Sequence, residues 1–152
     1  MNKSIETIRA TRNNFLSLIE NLSLEEINKI PDGFNNNVIW NFGHLIVSQQ
    51  ILCYKLSGIP LKIDETYVAK YSKETRPESF LNEAELKFLK ETSLKLINEL
   101  EKDLENDVFK DFTPYKTSFG VELESVNDAV KYLSMHEGLH LGYAMALKRF
   151  LK

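Results

Sequence analysis

Apolar residues recur at helical spacing in four long stretches of the chain. The first runs from about Ser4 to Leu22, where Ile5, Ile8, Phe15, Ile19 and Leu22 share one stripe. Arg9 and Arg12 fall toward its edge and read as solvated or salt-bridged surface. A short helical turn is expected at Leu24 to Asn28, capped by Ser23 with Glu26 completing a capping box. Pro31-Asp32-Gly33 and Asn35-Asn36-Asn37 break the pattern, and one of these asparagines caps the second helix, about Asn37 to Ser57. Gly58 and Pro60 stop it. This helix is apolar over most of its circumference, which requires burial by more than one neighbour.

Leu61 to Glu78 has weak periodicity and reads as a long connection. The third helix, about Ser79 to Glu105, carries Leu86, Leu89, Ile97, Leu100 and Leu104 on one face and lysines and acids on the other. Asn106 to Glu124 is a second long connection, punctuated by Pro114 and Gly120, with room for a short hairpin. The fourth helix runs from about Ser125 to Leu151. It has one stripe of Ala129, Leu133, His136, His140, Ala144 and Leu147, and a second of Tyr132, Leu139, Tyr143, Ala146 and Phe150. The expected fold is all-α: a four-helix bundle with long connections between helices two and three and between three and four.

The 152 residues suit one domain, 1–152, large enough to bury a core without disulfides or a structural metal. A net charge of −3 with scattered Lys and Arg argues against nucleic acid, which needs a concentrated basic face. No run approaches the roughly 18 to 20 apolar residues that span a bilayer, and Met1 to Glu6 lacks the apolar core of a secretion signal. The single cysteine, Cys53, permits no internal disulfide and fits a reducing compartment. A cytoplasmic protein without membrane contact is the expectation.

Chemistry concentrates on the histidines. His136 and His140 are four residues apart, so both imidazoles lie on one helix face. His44, the remaining histidine, sits in the middle of the buried second helix. Three neutral imidazoles suit a divalent transition metal (zinc, nickel, iron or copper), suit magnesium or calcium poorly, and leave a coordination position for water or substrate. His136-Glu137-Gly138-Leu139-His140 also matches H-E-x-x-H, in which Glu137 would be a catalytic proton-transfer residue. A zinc protease needs a third ligand downstream, but the twelve residues after His140 include no His, Asp or Glu. Glu137 also points about 100° away from His136.

Trp40-Asn41-Phe42-Gly43-His44-Leu45 and His136-Glu137-Gly138-Leu139-His140-Leu141-Gly142 resemble the two histidine motifs of the DinB-like (YfiT-like) metalloenzyme family. The resemblance extends over nearly the whole chain, including Leu24-Glu25-Glu26-Ile27 and Leu56-Ser57-Gly58. It implies a four-helix bundle with helices two and three parallel, and a divalent metal, commonly zinc or nickel, on His44, His136 and His140. It further implies pairing as a homodimer and a small-molecule substrate. Characterised relatives include S-transferases using a low-molecular-weight thiol, bacillithiol or mycothiol, and a mycothiol-dependent isomerase. Tyr143 departs from the pattern, since many members carry Gln after the glycine.

Neighbouring residues have plainer readings. Trp40, one turn before His44, reads as a packing anchor; Ser48, one turn after, either lines the site or bonds to its own backbone. Tyr132 and Tyr143 flank the histidine face, and Cys53 reads as a small buried hydrophobe.

Overall fold

The computed structural model describes residues 2–151. Its α-helices are α1 (Lys3–Glu20), α2 (Leu24–Asn28), α3 (Val38–Gln49), α4 (Glu65–Tyr71), α5 (Glu83–Glu105) and α6 (Val126–Lys148). A two-stranded antiparallel hairpin, β1 (Tyr115–Lys116) and β2 (Glu122–Leu123), completes a mostly helical molecule. Among the described residues, no helix is long and apolar enough to cross a membrane.

Local chemistry sets the helix ends. Ser23 and Glu26 form the expected capping box, and the Asn37 side chain accepts from the Trp40 amide to start α3. Asn82 and Ser125 cap α5 and α6 in the same way. Gly58, at φ +69°, takes the left-handed conformation that ends the second helical stretch.

The structure amends the sequence expectations in three places. The Leu61–Glu78 connection contains α4, which Asp64 caps and Tyr71 anchors in the core. Seven residues are too few for a periodic signal; α4 exists because it packs on α3. Gly43 permits the approach, since a Cβ there would stand 2.5 Å from the Tyr71 ring. The third long helix starts at Glu83 rather than Ser79 because Asn82 provides the cap. Finally, α3 does not run as a plain α-helix to Ser57: it widens into a π turn at Gln50–Tyr54 and tightens into a 3-10 turn at Lys55–Ser57.

α1, α3 and α5 pack on one another, and α6 lies against α1 and α3. Two apolar clusters form the interior, one around Phe15, Phe42, Leu89 and Leu147, the other around Ile8, Cys53, Leu100 and Leu133. Between them on α1, α3, α5 and α6 lies a band of buried polar side chains: Arg12, Ser48, Gln49, Ser93, His136 and Glu137. Most of these groups find partners, as buried polar groups must, and His136 Nδ1 finds none among the described residues.

Candidate metal centre

His44 projects from α3, and His136 and His140 project from adjacent turns of α6. Their ring centroids are 5.2 Å (His44–His136), 4.7 Å (His44–His140) and 4.6 Å (His136–His140) apart. One nitrogen from each ring lies within 4.8 Å of the others. Ligands 2.0 to 2.1 Å from one ion in tetrahedral geometry stand about 3.4 Å apart, so binding one ion requires the rings to turn and close by up to about 1.4 Å. Among the described residues no His, Cys, Asp or Glu joins this group as a fourth member.

The surroundings select which nitrogen faces inward. His44 Nδ1 lies 2.8 Å from the Tyr71 carbonyl, which only accepts, so Nδ1 carries the proton and Nε2 keeps its lone pair. His140 Nδ1 lies 2.8 Å from Asn41 Oδ1. The Asn41 amide cannot be turned round, because its Nδ2 donates to the Asn37 carbonyl at 2.8 Å. His140 therefore also donates through Nδ1 and offers Nε2. His136 Nδ1 is buried without a partner among the described residues. Burial holds all three rings below the ordinary imidazole pKa. His140 is held down to about 3 and His136 to about 4, with neighbouring imidazoles adding to the effect. At His44 burial outweighs the opposing hydrogen bond to Tyr71. At neutral pH three uncharged rings thus converge, at least two of them with Nε2 lone pairs free for a cation.

The histidines form the base of a cavity of about 400 Å³. Trp40 stacks on His44 (4.8 Å, 12° between planes), while its Nε1–H donates to Thr75 Oγ1 at 3.0 Å. It is thus both a packing anchor and a cavity wall. Tyr132 stacks on His136 at 5.7 Å and lines the cavity; Ser48 Oγ lies 3.3 Å from His44 Nε2. The β1–β2 loop, with Thr117, Ser118 and Phe119, covers the outer side. A larger hollow of about 790 Å³ beside α4 is lined mostly by polar residues and holds none of the histidines.

Glu137 is corrected by its position. It is fully buried on another face of α6, where both carboxylate oxygens accept from Arg12 at 2.6 to 3.2 Å. It lines no part of the cavity, so the geometry makes it an ion-pair partner rather than a proton-transfer group. Burial raises its pKa while Arg12 pulls the other way. Arg12 is corrected with it: not surface but fully buried, its Nη1 also donating to the Ser93 carbonyl at 2.6 Å. Arg9 is the surface cation, paired with Glu101 at 2.5 Å. Cys53 is buried in the apolar core and burial pushes its thiol pKa up, consistent with an inert hydrophobe. Tyr143 lies away from the cavity, edge-on to Phe34 at 6.0 Å.

The sequence reading missed Asn41 and the Tyr71 carbonyl as orienting groups. Asn41 had a signal: a polar residue three positions before His44 in an otherwise apolar helix. A backbone carbonyl had none.

The family model of the DinB superfamily matches residues 7–144, a span that contains all three histidines. The chain belongs to the DinB superfamily. No curated protein matches it. As a DinB superfamily member it carries its three histidines in the two stretches that the sequence singled out, one on α3 and one on α6.

Proposed function

We propose that this DinB superfamily protein is a metal-dependent enzyme with zinc or nickel held by His44, His136 and His140 at the base of a substrate cavity. The observation that carries the reading is the convergence of three uncharged imidazoles, two with their Nδ1 protons committed elsewhere, beneath an open cavity. When bound, the metal supplies a Lewis acid that lowers the pKa of a coordinated thiol or water. The chain's part is to orient the ligands through Asn41 and the Tyr71 carbonyl. Trp40, Tyr132 and the β1–β2 loop shield the site from bulk water. With neither Cys53 nor Glu137 near the histidines, an open position favours turnover over a closed sensor or storage site.

Within this reading the reaction is thiol transfer, a low-molecular-weight thiol attacking a small electrophile, with metal-dependent hydrolysis as the alternative. The wider assignment is a single four-helix-bundle domain acting in the cytoplasm as a homodimer, without nucleic acid or membrane partners. Support for pairing comes from exposed apolar side chains of α6 and the turn after it, Tyr143 at 40% and Phe150 at 56%, beside Met135 and Met145.

The test is elemental analysis of protein purified without a metal-affinity column, repeated on His44→Ala. Near-stoichiometric zinc or nickel that disappears in the variant is expected. Absence of metal from the parent after incubation with both ions refutes the site. Conjugation of bacillithiol to monochlorobimane, set against hydrolysis of p-nitrophenyl acetate, separates transfer from hydrolysis.

A further inference from the structure

The wide turn that follows α3 decides which side chain closes the far end of the cavity. Counted from His44 at 100° per residue, a straight α-helix turns Lys55 to within about 20° of the His44 direction and leaves Leu56 about 120° away. The structure has the reverse: Leu56 lines the cavity and Lys55 is exposed to solvent. The cause is the π turn at Gln50–Tyr54, visible in the i→i−5 bond from the Lys55 amide to the Gln50 carbonyl.

Packing holds the turn in place. Cys53 and Tyr54 are fully buried, the Tyr54 hydroxyl donates to Asp103 at 2.6 Å, and the Gln50 side chain accepts from the Lys62 amide at 2.7 Å. The Leu56 carbonyl accepts from the Thr113 amide at 2.6 Å, tying the end of this helical stretch to the segment that leads into the hairpin over the cavity. The apolar part of the lining is Ile51, Leu52, Leu56, Phe119 and Leu139, and the cavity's charged lining is Lys73 and Glu74.

We propose that the π turn is a specificity element: it exchanges a lysine for a leucine at the cavity's far end, so that the site takes a ligand with an uncharged aliphatic or aryl arm. The group bound at the histidines sits at one end and the arm runs along Ile51 toward Leu56 and Phe119. This rests on the metal-site reading for the position of the ligand's head, but not for the arm.

The test uses zinc-loaded protein and straight-chain hydroxamates from acetohydroxamate to octanohydroxamate, whose heads chelate the metal. Trp40, the single tryptophan, stacks on His44 and reports occupancy by fluorescence. Affinity should rise about fourfold per added methylene until the cavity is full. Leu56→Lys should abolish that gain while leaving acetohydroxamate binding within twofold, and Lys55→Leu should change neither. Phe119→Ser, on an exposed loop that cannot unfold the core, should weaken the long chains alone. Octanohydroxamate binding no tighter than acetohydroxamate, or an unchanged chain-length dependence in both Leu56→Lys and Phe119→Ser, overturns the proposal. A parallel series from 1-butanol to 1-octanol on chelator-treated protein reads the arm without the metal. If hydroxamate heads fail to bind but octanol still beats butanol in the parent and not in Leu56→Lys, the metal reading falls and the apolar arm stands. If the alcohols show no chain-length dependence, the arm falls whatever the metal does.

Discussion

Replacing Arg12 by Met tests the buried polar layer that supports the histidines. Arg12 makes three hydrogen bonds to Glu137 and one to the Ser93 carbonyl, and both charged side chains are wholly inaccessible to solvent. Removing one member of such a pair strands the other, at a cost of about 3–5 kcal/mol. A chain of this length loses about 3 °C of melting temperature per kcal/mol, so Arg12→Met should melt about 10–15 °C lower. Arg12→Met combined with Glu137→Leu replaces the pair by apolar groups of similar size, and should be more stable than either single variant. The stranded carboxyl gives the single variant a pH signature. Burial raises the Glu137 pKa even with Arg12 present, and removing Arg12 raises it further. A group whose folded pKa exceeds its unfolded value stabilises at low pH and ceases to do so as pH rises through the folded value. The deficit of Arg12→Met against the parent should therefore be smaller at pH 5 than at pH 8. Urea denaturation of the four proteins at both pH values supplies the measurement. A single-variant loss below about 1 kcal/mol, or a double variant whose loss equals the sum of the singles, would show that the pair is not coupled as described.

Asn41→Ala should weaken zinc binding about 10- to 100-fold in competition with a chelator, because His140 loses the acceptor that orients it; unchanged affinity would remove Asn41 from the site. Gly43→Ala drives a methyl group into the Tyr71 ring and should cost about 1–3 kcal/mol, read as a lower urea midpoint at unchanged slope. In metal-free protein, His136 and His140 protonate near 4 and 3 when folded, against about 6.5 in an unfolded chain. The unfolded state then binds more protons between those values, so stability should fall as pH drops from 6.5 toward 4. His140→Phe should reduce that slope, and an identical slope in the variant would contradict the burial of His140.

Much of the architecture is legible in the sequence because its causes are local. The α1 and α6 stripes follow from which residues recur every three or four positions, and the caps at Ser23 and Asn37 need only their own next turn. The His136–His140 pair is equally local, since four residues of helix fix its spacing. Tertiary packing decided the rest. Arg12 and Glu137 are 125 positions apart, and nothing in either neighbourhood distinguishes a buried guanidinium from a surface one. α4 is too short to announce itself and forms where Tyr71 meets Gly43. The π turn is invisible to periodicity because the gain that maintains it, burial of Cys53 and Tyr54 together with the Tyr54–Asp103 bond, comes from contacts made only after the helices have assembled. Side-chain pattern and capping act over one or two turns and can be read along the chain. The partner of a buried charge, and the residue that a bulged helix turns toward a cavity, depend on what the rest of the fold brings alongside.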